Sequence, residues 1–152
     1  MWQLIIVRKD LNMSPGKMAA QVSHASMAFL SAAILSSGAD HVLSADTGET
    51  ESYAVTLIIP ADVYERWFID IYTKTICEAK NRNQMMKAAA IADELGLVEG
   101  RDYFLIHDHC LTELESENIG EDGIGRALTC IGFRPLPDDI AHAISRKFQL
   151  YK

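Results

Sequence analysis

Short, dense apolar runs along the chain alternate with longer stretches of helical spacing. Trp2-Gln-Leu-Ile-Ile-Val-Arg8 is apolar almost without interruption, as befits a strand covered on both faces. Ser14-Pro15 then opens a helix, because serine can cap free N–H groups and proline suits the first helical position. That helix runs from Pro15 to about Ser36 and stops at Ser37-Gly38, where glycine can take the left-handed C-terminal conformation. Residues 38–51 read as an acidic loop, and residues 53–59 as a second buried strand ended by Pro60. From Ala61 to Gly96 the spacing is helical again, predicting one bent helix or two helices meeting at Asn81-Arg82-Asn83. Residues 103–107 form a third strand, 108–125 a polar loop and 126–132 a fourth strand. Pro137-Asp-Asp leads into a last helix to about Phe148.

Strands alternating with helices predict an α/β fold. The expectation is a single three-layer α/β/α domain over residues 1–152 with a four-stranded mixed β-sheet. The sheet is mixed because no helix separates the third and fourth strands, which then read as antiparallel neighbours. A length of 152 residues suits one domain. With 49% apolar and 23% charged residues, the chain is neither disordered nor a collagen-like repeat. No uninterrupted apolar run reaches the roughly 18 residues of a membrane span. The segment MWQLIIVRKD has no basic leader ahead of its apolar run, so it does not read as a signal peptide. The expectation is a cytoplasmic protein without a membrane partner. Cys77, Cys110 and Cys130 show neither CxxC nor CxxH spacing and read as reduced thiols, Cys77 and Cys130 as small core residues.

The net charge of −7 argues against a nucleic-acid partner until its distribution is considered. Residues 38–51 carry −4 and residues 113–122 carry −5, both without a basic residue, so the rest of the chain is at +2. Residues 74–87 hold Lys74, Lys80, Arg82 and Lys87 against Glu78 alone. Such a segment is either an ordinary solvated face or a track for phosphates.

Candidate chemistry begins on the first helix, where Lys17, Gln21 and His24 share one stripe beside the apolar stripe of Met18, Val22, Ala25 and Phe29. Lys17 follows the C-terminal end of the first strand, the edge at which open α/β sheets bind ligands. An ammonium beside helix N–H groups suits an anion or a developing oxyanion. The second cluster is Asp108-His109-Cys110-Leu111-Thr112, just past the third strand. Asp108 can orient a water or hold Lys17, and Thr112 can donate a hydrogen bond. Cys110 near His107 and His109 also allows a thiol nucleophile, and the Asp, His and Cys together allow a metal site.

The run Ile6-Val-Arg-Lys-Asp-Leu-Asn-Met-Ser-Pro-Gly-Lys-Met-Ala-Ala-Gln-Val-Ser-His-Ala25 resembles the N-terminal signature of the type-II peptidyl-tRNA hydrolases, V-R-x-D-L-x-M-x-x-G-K-x-A-A-Q-x-x-H-A. Asp108 and Thr112 match that family's D-x-G-x-T segment, with Cys110 in place of glycine. Ile131-Gly132 matches its I-G-P, with Phe133 in place of proline, and Ala127 stands where a threonine is common. The resemblance implies a homodimeric α/β enzyme that hydrolyses the ester between a peptide, or an N-blocked aminoacyl group, and the 3′ end of tRNA. It implies no metal or organic cofactor. Lys17, Asp108 and Thr112 are then the expected catalytic residues, with Gln21 and His24 supporting them. Lys80, Arg82 and Lys87, with Arg8, Lys9 and Arg134 at the rim, are the expected tRNA contacts. Two other readings stay open: a non-catalytic module binding a nucleotide or a protein, and a thiol enzyme built on Cys110.

Overall fold

The computed structural model describes residues 1–43 and 51–152. Of the acidic stretch at 38–51, residues 44–50 lie outside the described residues. The elements in order are β1 (Trp2–Arg8), α1 (Pro15–Ser36), β2 (Asp40–Leu43), β3 (Glu51–Ala54) and α2 (Ala61–Val63), which runs into a π-helical turn at Tyr64–Phe68. Then follow β4 (Lys74–Ala79), α3 (Arg82–Glu94), β5 (Tyr103–Asp108), β6 (Asn118–Ile119), β7 (Gly125–Leu136), α4 (Asp138–Ser145) and β8 (Gln149–Leu150). The main sheet has the order β5-β7-β1-β4-β8, with β6 paired to β7, and β2 and β3 pair in a small sheet of their own.

The α/β class and the mixed sheet hold, with β5 and β7 antiparallel as expected. The strand count does not: among the described residues the main sheet has six strands, not four. The strand expected at 53–59 is also wrong. Only Glu51–Ala54 is extended and paired, and residues 55–60 have no regular structure. Its apolar run lies at the surface, with Ile58 95% exposed. The strand beside β1 is instead Lys74–Ala79, inside the stretch expected to be helical. Its Lys, Glu and Ala are good helix formers, but tertiary pairing overrides that preference. Ile76 joins the core on the α1 side of the sheet while Cys77 and Ala79 point to the other. The weak point at Asn81-Arg82-Asn83 is not a bend but a helix start. Asn81 caps α3 by accepting the Gln84 N–H at 2.9 Å.

The unbroken apolar run over residues 4–7 of β1 is explained by burial on both faces. Leu4 and Ile6 pack with Met85, Ala88, Phe133 and Ile144 under α3 and α4, whereas Ile5 and Val7 pack with Ala25 and Cys130 under α1. Each such aliphatic side chain contributes about 1.5–3 kcal/mol on burial. The helix α1 has 22 residues and is long and apolar enough to cross a membrane by length and composition. Here it forms a layer of the domain, resting on β1, β5 and β7. Its approach is close. A Cβ on Gly132 of β7 would lie 2.4 Å from the Ala25 carbonyl oxygen, so only glycine fits the contact. Gln3, fully buried, donates to the Ser26 and Phe133 carbonyls and accepts from the Ser26 hydroxyl, which fixes the same helix from the next strand.

Because β7 is antiparallel to both β5 and β1, and β4 is parallel to β1, the strands β5, β1 and β4 all run the same way. Asp108, Arg8 and Ala79 therefore end on one edge of the sheet, and α1 starts above it.

Candidate active site

At this edge Ser14 caps α1, its hydroxyl oxygen accepting the Lys17 N–H at 3.2 Å. Glu113 reaches back from the loop after β5 to accept the Ser14 N–H at 2.9 Å, which ties that loop to the helix start. A carboxylate there is favourable in the field of the helix N-terminus, and a cation is not. Lys17, in the first turn, offsets this with a partner. Its ammonium lies 2.7 Å from Asp108 Oδ2 and donates to Thr112 Oγ1 at 3.1 Å. Gln21, one turn on, donates to the same Oδ2 at 2.7 Å. The Cys110 N–H donates to Oδ1 at 2.8 Å.

Asp108 thus has two donors on one oxygen and one on the other, which leaves Oδ1 with acceptor capacity to spare. The Lys17 and Asp108 side chains are 16% and 10% exposed, so the pair is sheltered but reachable. Burial pushes the Asp108 carboxyl up, but the Lys17 ammonium, the Cys110 amide and the Gln21 carboxamide outweigh it and hold it below the usual carboxylate range. It is ionised at neutral pH. The cleft beside it has a volume of about 450 Å³ and is lined by Gln21, His24, His107, Asp108 and His109 with Leu105 and Ile106. His24 is exposed on that wall.

Gln21, His24 and Asp108 therefore line one cleft, and Lys17 and Thr112 join it through Asp108, whose carboxylate holds the ammonium that bonds Thr112. The basic residues do not all join them. Arg8 is 5% exposed, bound by Asp10, Glu117 and the Leu128 carbonyl, so it holds β1 to β7 rather than facing solvent. Arg134 sits at the opposite end of the sheet, where its Nε lies 2.6 Å from Asp102 Oδ1. Tyr103↔Phe133 pairing there is five residues of β5 away from Asp108↔Ala127, about 17 Å along the strand. Both depart from the expected rim. Lys9 is exposed but paired with Glu78 at 2.6 Å. Lys80, Arg82 and Lys87 are exposed at the end of β4 and along α3, on the same sheet edge as Asp108. Lys147, which sequence reasoning left out, faces Lys87 across a groove between α3 and the end of α4.

Sequence reasoning also missed Thr129. It is fully buried, and its hydroxyl donates to Gln21 Oε1 at 2.6 Å. The available signal was a lone hydroxyl in the apolar run Ala127-Leu-Thr-Cys-Ile131, since a buried polar group needs a partner. The thiol reading fares poorly. Burial and the neighbouring Asp108 push the Cys110 thiol up, which keeps it protonated and a weak nucleophile. Cys77 and Cys130 are buried, the latter with its thiol pushed up to about 12 by burial. Among the described residues, no group of three His, Cys, Asp or Glu side chains is placed to hold a metal ion.

An ammonium in contact with a carboxylate and a hydroxyl at the C-terminal edge of an open α/β sheet defines the class, an α/β enzyme equipped for hydrolysis. The comparisons with known proteins make the class specific. The sequence matches the family described as "Peptidyl-tRNA hydrolase PTH2" over residues 1–151, and the chain belongs to that family. It is 27% identical over 147 residues to the peptidyl-tRNA hydrolase of Thermoplasma acidophilum, covering 97% of this chain and 95% of that one. To the peptidyl-tRNA hydrolase of Methanopyrus kandleri it is 31% identical over 134 residues, covering 88% and 83%.

Proposed function

We propose that the chain hydrolyses the ester joining a peptide, or an N-blocked aminoacyl group, to the 3′ end of tRNA, and so releases free tRNA. The observation that carries this is the 2.7 Å contact between the Lys17 ammonium and the Asp108 carboxylate beside an open cleft. Asp108 orients a water through the free side of Oδ1 and takes up its proton as the new C–O bond forms. Lys17 faces the oxygen of the ester carbonyl and stabilises its developing negative charge. Because Thr112 accepts from Lys17, its own hydroxyl proton is free to meet the substrate. When the ester C–O bond breaks, the ribose oxygen leaves and takes the proton. Gln21 and His24 support the site from the helix.

The tRNA backbone lies along Lys80, Arg82 and Lys87, with Lys9 at the near edge. Three strand spacings separate the end of β5 from the end of β4, about 14 Å, so these cations stand within a few nucleotides of the ester. The reading also includes a homodimer, supported by the exposure of Leu35, Ile58, Ile69 and Ile71, and a cytoplasmic location, supported by a substrate that translation produces.

Two departures from the family pattern are compatible with this reading. Phe133 fills the core under α3. Cys110 adopts φ 54°, the glycine-like conformation that aims its N–H at Asp108. The test is hydrolysis of a purified peptidyl-tRNA by the wild type, Lys17→Ala and Asp108→Asn. Each substitution is expected to cost about 100- to 1000-fold in turnover. Wild-type turnover by either variant refutes the role given to that residue, and a wild type that binds peptidyl-tRNA without cleaving it establishes the binding-module reading instead.

A further inference from the structure

The β5–β7 pairing is irregular next to the site. Ile106 stands opposite Cys130, but His107 stands opposite Leu128, so Thr129 is the extra residue of a β-bulge. Leu128 points to the α3 side of the sheet and Cys130 to the α1 side. The bulge inserts Thr129 between them on the α1 side, under Gln21. There its hydroxyl lies 2.6 Å from Gln21 Oε1 and 3.1 Å from the Ile106 carbonyl.

A hydroxyl has one proton and here two acceptors. If the proton goes to Gln21 Oε1, the carboxamide must present its NH₂ to Asp108, which is the observed 2.7 Å contact. If it went to the Ile106 carbonyl, the carboxamide could turn over and set its oxygen against the carboxylate, acceptor against acceptor. Gln21 is 3% exposed and Thr129 fully buried, so water does not replace the hydroxyl. We propose that Thr129 is a positioning residue of the hydrolytic site, its hydroxyl locking the Gln21 carboxamide with N–H rather than C=O toward Asp108. The inference rests on the reading of Asp108 as the group that orients water. Thr129 touches neither water nor ester and acts only through Gln21.

With the hydroxyl removed, Gln21 Oε1 is left without its donor on the buried side of the cleft, and the carboxamide is held only by Asp108. Asp108 then loses one of its three kinds of donor for part of the time. The titratable groups around it are Lys17 and His24 from α1, His107 from β5, and His109 and Cys110 from the loop. Thr129 bonds to none of them, so a change at Asp108 reports on Gln21.

The experiment compares Thr129→Val, which keeps the shape, Thr129→Ala, which shortens the side chain, and Thr129→Ser, which keeps the hydroxyl. The readouts are steady-state hydrolysis of peptidyl-tRNA across pH and the titration midpoint of the Asp108 carboxyl carbon by NMR. The expected result is a fall in kcat of about 10-fold for the valine and alanine variants with KM little changed. The acid limb and the Asp108 midpoint move up together by about half a unit, and serine restores both. An unmoved Asp108 midpoint in either folded variant overturns the inference, as does a serine variant as impaired as the valine one. The NMR midpoint separates this from the catalytic reading: if Asp108→Asn hydrolyses like the wild type, that reading fails, while the midpoint still decides whether Thr129 holds Gln21.

Discussion

Substituting Gly132 by alanine tests how the sheet carries the site. The added Cβ would lie 2.4 Å from the Ala25 oxygen, 2.8 Å from its carbonyl carbon and 2.9 Å from its Cα. Ordinary contact begins at 3.4 Å, and all three atoms are backbone, so no side chain can swing away. The relief is a displacement of α1 by about 1 Å. Gly132 is not among the residues with positive φ, so the cost is steric rather than conformational. Overpacking of this kind costs about 1–3 kcal/mol. At about 2–4 °C per kcal/mol for a chain of this size, Tm should fall by roughly 2–12 °C. The functional cost is separate. Gln21 lies one turn before Ala25 and Lys17 two turns before, while Asp108 stays on β5. A shift of about 1 Å takes the 2.7 Å contacts out of hydrogen-bond range. Misplacement on that scale can lower turnover by about 100-fold. Thermal melts by circular dichroism and single-turnover hydrolysis of peptidyl-tRNA measure the two effects. A variant that melts with the wild type and cleaves as fast would refute the close approach of α1 to β7 as the device that registers the site.

Other predictions follow from single positions. Cys110→Gly should raise stability by about 1 kcal/mol in urea unfolding, because φ 54° is strained for a side chain, and should keep hydrolysis intact; loss of hydrolysis would revive the thiol reading. Asp102, 3% exposed, accepts from Arg101, Arg134 and the Val98 N–H, and although burial pushes its carboxyl up these donors hold it below the usual range. A lowered folded-state pKa adds stability that is complete above the unfolded value, about 4, and is lost as pH falls through the folded one. Urea midpoints of wild type and Asp102→Asn should therefore differ at pH 7 and converge below about pH 4; a gap that stays constant would contradict the ion pairs. If Lys80, Arg82 and Lys87 each meet a phosphate, raising salt from about 50 to 200 mM should weaken tRNA binding roughly 40-fold, and substituting all three by alanine should flatten that dependence. An unchanged slope would move the phosphate contacts elsewhere.

The parts of the fold legible in the sequence were those where local preference and tertiary role agree. Ser14-Pro15 caps α1 as its chemistry dictates, and the run over residues 4–7 is apolar throughout because two layers cover it. Val55–Ile59 and Lys74–Ala79 were exchanged in role because composition misleads at both. The first is β-branched and apolar yet lies unpaired at the surface, and the second holds Lys, Glu and Ala yet pairs with β1 and β8. Only long-range pairing, which leaves no periodic trace in so short a segment, distinguishes them. The contact of the candidate site residues was legible through their spacing on α1 and the position of Asp108 at the end of β5. The misassigned contacts were charges whose partners are distant in sequence, such as Arg8 with Glu117 and Arg134 with Asp102. Thr129 was hidden because a bulge, not alternation, sets the direction of its neighbours.

The most direct test of the central claim is a double-mutant cycle on Lys17 and Asp108, read by single-turnover cleavage of peptidyl-tRNA. If the two act as one unit on the ester, Lys17→Met, Asp108→Asn and the double variant should lose rate to nearly the same extent. Losses that simply multiply, or an Asp108→Asn variant that cleaves at the wild-type rate, would contradict it.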